Sequence, residues 1–354
     1  MNVVEPITVE GYEKVLAFQN QAVGLRGFLA IHDTTLGPAV GGTRLWPYTS
    51  DDEALADALR LSRAMTYKAA LAELPCGGGK AVIVHHQGLN RNQAFEAYGE
   101  LVESLAGRFL TGPDMGITDD DLAAMARATR YSASAPGLQH DDISEHTATG
   151  VWHGLRACLD FAGLSRGARV ALQGVGSVGL ALGRILKRER MEVVVADTDS
   201  ERAHQAAHEL GAEIVQPEDI LALPCDVFSP CAIGSVVSVE TAGRIQARIV
   251  CGCANNILAT PEAGDELARR GILYAPDYLV NAGGLIRGAE FDLLQRTDSG
   301  PSLARIYDRM RRVLEMAQQR QVSTARIADQ LAEEQLQKAR SGRAQGRTQG
   351  KTQV

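Results

Sequence analysis

Two lysines are the strongest candidates for chemistry in this chain, because each stands where its neighbours make a charge costly. Lys68 closes a stripe of apolar residues at helical spacing that starts at Ala54, and Lys80 follows the glycine run Gly77–Gly79. Glycines leave the backbone uncovered, so a ligand could reach it beside Lys80. In one pocket, one ammonium group can bind a carboxylate while its charge lowers the pKa of the other towards that of a useful base. Each lysine alone also has an ordinary interpretation, as a snorkelling side chain or an exposed strand start.

Asp114 is the third candidate. It lies in a loop between the apolar pair Phe109–Leu110 and an acid-rich segment that starts at Thr118. Thr118 followed by three aspartates predicts a capped helix start, so those acids are interpreted as structural. A loop that leads from a strand to a helix commonly carries catalytic groups. An aspartate beside a proline is also a common turn residue, and the sequence alone leaves both interpretations open for Asp114.

A dinucleotide-binding pattern begins at Gly174. Gly174, Gly176 and Gly179 form G-x-G-x-x-G between an apolar strand and a helical run, and Asp197 ends the next strand. The first glycine permits the tight turn, the second lets a pyrophosphate approach, and the third allows close helix packing. Asp197 is predicted to accept hydrogen bonds from the adenosine ribose, and the two residues after it offer no cation to a 2′-phosphate, so NAD is favoured over NADP. Further cofactor contacts are expected at Val175, Ser177, Val178 and Leu180.

The elements around these residues predict an α/β fold with two domains. Apolar runs such as 27–31 and 81–84 predict strands separated by helices in the first part, and Ser50 with Glu53 predicts a capping box before the helix that carries Lys68. The loop-like segment 131–142 marks a boundary. After it, strands and helices alternate, which predicts a Rossmann-type, doubly wound, mostly parallel sheet.

The predicted domain limits follow from this pattern. A substrate domain is expected over 1–135 and a dinucleotide-binding domain over 136–319, with C-terminal helices in 320–339 packing back on the first domain. The segment 340–354 has four cations, no acid and two apolar residues, so a disordered tail is predicted. A nucleic-acid-binding arm is the alternative interpretation of that segment.

Composition excludes several classes of protein. The 36 basic and 43 acidic residues give a net charge of −7, which argues against nucleic acid or an anionic membrane as a partner. There is no long apolar run that predicts a membrane-spanning helix. Six cysteines in 354 residues are no disulfide framework, so a reducing cytoplasm is expected. The histidines lack metal spacing, and Cys251 with Cys253 makes no zinc site, so no metal is predicted.

Taken together, these segments resemble the glutamate/leucine/phenylalanine/valine dehydrogenases, most of all the leucine, valine, phenylalanine and tryptophan branch. The resemblance is carried by CGGGK and PDYLVNAGG, which occur in this order around the glycine fingerprint. The matching stretches are 30–48, 65–83, 111–118, 147–151, 173–179, 229–234, 254–256 and 274–286.

The resemblance implies a substrate domain, an NAD-binding domain and a cleft between them. It implies reversible oxidative deamination of an L-amino acid to a 2-oxo acid and ammonia, by a homo-oligomer. In this family pattern Lys68 would hold the substrate carboxylate, Lys80 would activate water against the iminium, and Asp114 would move protons at the amino group. Gly41 and Gly42 would line the substrate, and Thr147, Cys231, Ala232, Asn255 and Asn256 would contribute to the cofactor site.

The expected side-chain pocket is apolar. Its predicted lining is Val40, Pro113, Leu285 and Gly288. An unpaired glutamate charge would be costly there, so leucine, valine, phenylalanine or tryptophan is expected as the substrate and glutamate is expected to be rejected. Gly288 would deepen the pocket and favours a bulky or aromatic side chain.

Two features leave alternatives open. Residues 144–146 read Ser-Glu-His where the family usually has a Gly- and Pro-containing run, so they would either alter nicotinamide placement or lie on the surface. The alternative function is a catalytically idle NAD-binding paralogue with a sensing or partner role. A hydroxy acid dehydrogenase would require a His–carboxylate pair, and no histidine here lies in a matching motif.

Overall fold

The computed structural model describes residues 3–132, 140–164, 167–232 and 234–349, and it divides the chain into two compact units. The first unit comprises Met1–Leu138, Asp292–Leu294 and Ala332–Val354. The second comprises Gln139–Phe291 and Gln295–Leu331. The chain therefore enters the second unit close to the boundary predicted at 135, and it returns to the first at Ala332 rather than at 320.

A mixed sheet forms the centre of the first unit. Its elements in chain order are β1 (Val3–Ile7), β2 (Lys14–Asn20), β3 (Leu25–Asp33), β4 (Ala39–Val40), β5 (Thr43–Trp46), α1 (Asp51–Leu71), β6 (Gly77–Val84), α2 (Arg91–Ser104), β7 (Phe109–Leu110) and α3 (Asp119–Ala126). The strand order is β1-β2-β3-β6-β4-β7, and β5 pairs with β6. The pairs from β1 to β6 are antiparallel, whereas β4 and β5 run parallel to β6.

Alternation along β6 assigns its side chains to two cores. Ala81 and Ile83 belong to the core that includes residues of α2 and α3, whereas Val82 and Val84 pack in the core that includes Ala54 of α1. Because successive strand residues point to opposite faces, Lys80 shares the face of β6 that α1 covers. The predicted helix caps are confirmed, since Ser50 accepts from the Glu53 amide and Thr118 forms a capping box with Asp121. The box predicted at Ser50 is incomplete, because the Glu53 carboxylate accepts from the Thr49 amide instead.

The glycine run Gly77–Gly79 lies inside β6 and is fully buried, so the prediction that it leaves backbone open to a ligand is wrong. A Cβ on Gly78 would lie 2.1 Å from the amide nitrogen of Thr66 in α1, and one on Gly79 would lie 2.7 Å from the Phe109 ring. Gly78 therefore allows the close approach that brings α1 onto β6, and Gly79 makes room for the Phe109 ring on the opposite face of the strand.

Gly78→Ala is expected to destabilise the protein by about 3 kcal/mol or more, because the added methyl group would overlap helix backbone that has no room to move. Gly342→Ala is the matched control, since a Cβ there meets nothing within 4 Å. Urea unfolding of both variants measures the difference. Equal stability of the two variants would contradict this packing argument.

The second unit is built on an all-parallel sheet. Its elements are α4 (His140–Ala162), β8 (Arg169–Gln173), α5 (Ser177–Arg188), β9 (Glu192–Ala196), α6 (Ser200–Leu210), β10 (Glu213–Ile214), β11 (Val227–Pro230), α7 (Val239–Ala242), β12 (Ile249–Val250), α8 (Pro261–Arg269), β13 (Leu273–Tyr274), α9 (Asp277–Val280), α10 (Gly283–Leu294) and α11 (Gly300–Arg320). The last helix, α12 (Thr324–Gln349), begins in this unit and belongs to the first unit from Ala332. The strand order is β10-β9-β8-β11-β12-β13. The predicted α/β fold with a Rossmann-type sheet is confirmed, and its topological switch point lies between β8 and β11.

Helix α12 runs to Gln349, so the prediction of a disordered tail from Arg340 is wrong for 340–349, and 350–354 lie outside the described residues. Arg340 forms an ion pair with the buried Asp33, and Tyr67 donates a hydrogen bond to Glu333. These contacts attach the C-terminal helix to β3 and α1, and its alanines, glutamines and basic residues favour helix. Within the described part of the chain, no helix is both long and apolar enough to cross a lipid bilayer.

Candidate active site

A buried ion pair forms the centre of the candidate active site. The Lys80 Nζ lies 2.6 Å from Asp114 Oδ2, and Lys80 is 6% exposed. Lys80 comes from β6, and Asp114 comes from the loop that follows β7. The structure thus joins two residues that lie 34 positions apart and that the sequence singled out for different reasons.

A second cation, Arg44 of β5, also contacts this carboxylate. Its Nε lies 3.0 Å from Asp114 Oδ2, and its Nη1 lies 2.9 Å from Asp57 Oδ2. Neither Arg44 nor Asp57 is among the site residues predicted from the sequence, although Arg44 lies within the matched stretch 30–48. Alternation along β5 could have indicated it, because a lone arginine between the buried Thr43 and Leu45 points to the opposite face of the sheet.

The charges of this cluster fix its protonation. Burial lowers the pKa of Lys80, and the Arg44 guanidinium adds to the effect, while Asp114 opposes it. Burial would raise the pKa of the Asp114 carboxyl, but Lys80 and Arg44 outweigh it and hold that pKa well below its usual range. Asp114 is therefore ionised, and the Lys80 ammonium loses its proton more readily than a lysine in water.

Two glycines bring the loop and the strands together. A Cβ on Gly41 would lie 1.7 Å from the Gly79 carbonyl oxygen, and one on Gly42 would lie 2.6 Å from the Pro113 carbonyl oxygen. Neighbouring backbone leaves no room for a side chain at either position. Gly41 and Gly42 therefore allow the close approach of backbone segments next to Lys80 and Asp114. Val40 pairs with Gly78 and Leu110, one residue away from this contact.

Lys68 lies near the end of α1 and is 8% exposed. The two turns before it pack on β6 through Ser62, Thr66 and Gly78. The sequence predicts that the Lys68 ammonium lowers the pKa of Lys80. In the structure burial of Lys80 is the main cause, and Arg44 is the cation that reinforces it.

The glycine fingerprint forms a cradle at the switch point of the second unit. Gly174 has a φ of +93°, and a Cβ there would lie 2.6 Å from Cβ of Ala232, which follows β11. A Cβ on Gly179 would lie 2.2 Å from the Gly174 carbonyl oxygen, so helix α5 packs directly on the turn. At Gly176, by contrast, a Cβ would meet nothing within 4 Å. This open position at a helix N-terminus fits a dinucleotide phosphate.

The acid at the end of β9 closes the turn from the other side. Asp197 Oδ2 accepts from the Val175 amide at 2.9 Å, and its Oδ1 accepts from the Asp199 amide at 2.9 Å. Arg202 Nη1 lies 3.4 Å from Asp197 Oδ1, and Nη2 lies 3.2 Å from Asp199 Oδ2. Sequence neighbours gave no sign of this cation, because Arg202 reaches the two acids from one turn into α6.

The remaining predicted cofactor residues lie in the same unit. The Cys231 amide donates to the Gln173 carbonyl at 2.7 Å, and the Asn256 amide donates to Asp277 at 2.7 Å. Asn255 Oδ1 accepts from Asn281, and the Thr147 hydroxyl donates to the Ile143 carbonyl within α4. Residues 144–146 are part of α4, with Ser144 buried and Glu145 exposed. Ser177, Val178 and Leu180 form the first turn of α5.

Two buried side-chain oxygens near the cradle have no hydrogen-bond partner among the described residues, Gln173 Oε1 and Asn281 Oδ1. Gln173 precedes the glycine turn, and Asn281 contacts Asn255 at 3.1 Å. Buried amide oxygens without a donor are costly, so a ligand with N–H or O–H groups fits here.

Two of the predicted substrate-pocket residues, Leu285 and Gly288, are both half-buried on one face of α10, and a Cβ on Gly288 would meet nothing within 4 Å.

Comparison with known proteins gives consistent matches. The profile of the Glu/Leu/Phe/Val dehydrogenase dimerisation domain matches residues 13–131, and that of glutamate/leucine/phenylalanine/valine dehydrogenase matches 198–343. The chain is 41% identical to leucine dehydrogenase of Geobacillus stearothermophilus over 94% of this chain and 93% of that protein. The crystal structure of L-tryptophan dehydrogenase from Nostoc punctiforme shares 39% identity and a TM-score of 0.78 over 94% of this chain and 97% of that one. Hetero-hexameric glutamate dehydrogenase from Thermus thermophilus shares 26% identity and a TM-score of 0.73 over 95% and 88%.

Proposed function

Because the chain belongs to the glutamate/leucine/phenylalanine/valine dehydrogenase family, we propose that it converts an apolar L-amino acid reversibly to the 2-oxo acid and ammonia with NAD. The observation that carries this proposal is the buried pair of Lys80 and Asp114. Lys80 is the general base, Asp114 moves protons at the nitrogen, and Lys68 binds the substrate carboxylate. A catalytically idle NAD-binding protein would not need this pair, whose burial costs free energy.

The residues act in sequence on the substrate. Asp114 accepts a proton from the substrate ammonium group, which frees the nitrogen lone pair for iminium formation. Bound NAD supplies the hydride acceptor for the α-carbon. Neutral Lys80 then takes a proton from the water that attacks the iminium carbon. When the carbinolamine collapses, Asp114 returns its proton to the departing nitrogen, and the carboxylate then accepts the proton of the carbinolamine hydroxyl as the C=O bond forms. Ammonia and the 2-oxo acid remain, and Lys80 and Asp114 release their protons to solvent.

NAD is proposed to bind the cradle at the switch point. The residues that would hold it are Gly174, Val175, Gly176, Ser177, Val178, Gly179, Leu180 and Asp197, with Thr147, Cys231, Ala232, Asn255 and Asn256 at the nicotinamide end. The open position at Gly176 and the amide oxygens of Gln173 and Asn281 support this assignment.

NAD is expected to be preferred over NADP by at least about tenfold in kcat/KM, a difference of about 1.4 kcal/mol. The Asp197 carboxylate would repel a 2′-phosphate and lose its ribose hydrogen bonds, and Arg202 is already shared between two carboxylates. Initial rates with each cofactor at a saturating amino acid concentration measure the ratio. Equal kcat/KM values for NAD and NADP would contradict this preference and would indicate that a cation such as Arg202 binds the 2′-phosphate of NADP.

The substrate side chain is proposed to lie among Val40, Pro113, Leu285 and Gly288. Arg44 is a third cation of the matched substrate segments, but Asp57 and Asp114 already pair with it, so it leaves no free charge for a second carboxylate. An apolar side chain gains roughly 25 cal/mol for each Å² that it buries.

L-Leucine and L-phenylalanine are therefore expected to exceed L-glutamate in kcat/KM by at least about a hundredfold. Gly288→Val should lower the ratio of kcat/KM for phenylalanine to that for valine, because the added side chain fills the deep end of the pocket. The expected change in selectivity is about 1–3 kcal/mol. A panel of L-amino acids, followed by NADH absorbance, measures both effects. Preference for glutamate would place the pocket elsewhere, and an unchanged ratio in Gly288→Val would refute its depth.

Assembly and location complete the proposal. The matched N-terminal profile is described as a dimerisation domain, and the Thermus thermophilus relative is hetero-hexameric, so we propose a homo-oligomer. The six cysteines are all free, which supports a reducing cytoplasm.

A further inference from the structure

Arg44 connects the candidate catalytic carboxylate to a second acid that the proposed chemistry does not use. Its guanidinium contacts Asp114 through Nε and Asp57 through Nη1, and its side chain is 12% exposed. The Asp114 atom that it contacts, Oδ2, is also the atom that lies 2.6 Å from Lys80 Nζ. One carboxylate oxygen is therefore shared between two cations.

Asp57 of α1 anchors the far end of the guanidinium. Its Oδ2 accepts from the Tyr48 hydroxyl at 2.7 Å, and its Oδ1 accepts from Arg60 Nη2 at 2.6 Å. Burial raises the pKa of Asp57, but the Tyr48 hydrogen bond and the Arg44 and Arg60 charges outweigh it, and the pKa falls below its usual value. Asp57 is thus ionised and holds Arg44 in place with a charge-assisted hydrogen bond.

This arrangement changes what Lys80 experiences. A carboxylate that also pairs with Arg44 attracts the Lys80 ammonium less than a carboxylate dedicated to it. The positive charge of Arg44 also disfavours a second cation nearby. Both effects act in the same direction and favour neutral Lys80, the form that a general base requires.

We propose that Arg44 is a positioning residue: anchored on Asp57, it orients the Asp114 carboxylate and keeps Lys80 in its basic form. This inference rests on the proposed function, because the task of Lys80 as base comes from it. Arg44 does not act on the substrate itself. It acts through Asp114 and Lys80.

The two arms of the cluster give opposite expectations. Arg44→Gln removes a cation and leaves Asp114 to Lys80 alone, so the acidic limb of the kcat/KM profile should move up by about one pH unit or more. Asp57→Asn removes an anion from the cluster, so the same limb should move down or stay in place. Arg44→Lys keeps the charge and should restore most of the profile, although its single ammonium cannot contact both acids as the guanidinium does.

Two control variants separate positioning from stability. Arg60→Gln removes another cation from Asp57 but touches neither Asp114 nor Lys80, and its side chain is 48% exposed. Arg91→Gln breaks the ion pair that a partly exposed arginine forms with the buried Asp121 elsewhere in the same unit. Arg60→Gln should leave the pH limb in place, and Arg91→Gln should lower the melting temperature without moving the limb.

A second readout does not depend on turnover. Acetic anhydride reacts with neutral amines, so labelling of Lys80 against pH, quantified by peptide mass spectrometry, follows its pKa in the whole protein. Labelling at pH 8 should fall at least about threefold in Arg44→Gln relative to the wild type.

The outcomes are distinct. In one outcome, Arg44→Gln loses stability as Arg91→Gln does, but neither the acidic limb of its kcat/KM profile nor the labelling of Lys80 changes. This outcome would overturn the inference and leave the proposed function intact. If the wild type deaminates no L-amino acid, the proposed function fails, and the inference falls with it as a statement about catalysis. A limb that moves down in Arg44→Gln would also overturn it, because the sign would be wrong.

Discussion

Replacing Lys80 with alanine is expected to lower kcat for amino acid oxidation by at least about a thousandfold, while NAD binds with unchanged affinity. Lys80 is buried, so a group on the protein surface cannot replace it as the proton acceptor. Burial also lowers the pKa of Lys80, which favours the neutral amine that accepts the proton. The proposed NAD cradle is built from residues of the second unit, whereas Lys80 belongs to the first. Initial rates with L-leucine and fluorescence titration with NADH measure the two quantities.

Lys338→Ala is the control for this variant, because it removes an exposed lysine from the same unit. It should leave rate and affinity unchanged. Loss of NADH affinity in Lys80→Ala with turnover retained would contradict the assignment of Lys80 as the base. Thermal unfolding of both variants verifies that the alanine protein is folded.

Asp114→Asn is expected to have the second largest effect, a loss of at least about a hundredfold in kcat. The amide keeps the shape of the side chain but cannot accept and return a proton at the substrate nitrogen. Asp114 raises the pKa of Lys80, so its removal should also move the acidic limb of the kcat/KM profile to lower pH. Rates measured from pH 6 to 11 test both effects.

Asp121→Asn is the matched control. Asp121 is another buried carboxylate of the first unit, paired with Arg91 and with the start of α3. Its replacement should lower the melting temperature and leave the pH profile in place. An Asp114→Asn enzyme with a normal rate would show that proton transfer at the nitrogen uses a different group.

The fold class and the candidate residues follow from local patterns in the sequence. The caps at Ser50 and Thr118 are predicted by residue type and spacing over four positions, and the structure confirms both. The glycine fingerprint is likewise local, since its turn, helix and following strand occur within about 25 residues. Lys80 and Asp114 stand out for the same reason, because each has unusual immediate neighbours.

The contacts between these residues depend on strand order, which no short window contains. β5 pairs with β6 and β4 pairs with β7, and these pairings bring Arg44, Lys80 and Asp114 together. The contact of Arg202 with Asp197 is local by comparison, because the two residues lie five positions apart at the start of α6. From the sequence alone the glycines of β6 predict an opening for a ligand, because Thr66, which covers Gly78 in the structure, lies on another element.

The prediction of disorder for the C-terminal segment 340–354 is wrong over 340–349 for a related reason. Its composition predicts disorder when it is considered alone, because it has little apolar surface to bury. In the structure Arg340 reaches the buried Asp33, more than 300 residues earlier in the chain. The composition of the segment cannot reveal this long-range ion pair, because the partner of Arg340 lies outside the segment.

The most direct test of the account uses L-leucine deuterated at the α-carbon. The wild-type protein, NAD and this substrate should give deuterated NADH, 2-oxo acid and ammonia in equal amounts, with the deuterium of NADH derived from the α-carbon. NADH formed without an equal amount of ammonia, or without deuterium from the α-carbon, would contradict the proposed deamination. Absence of NADH with every apolar L-amino acid, from a protein that still binds NAD, would contradict the central claim that Lys80 and Asp114 form a working active site.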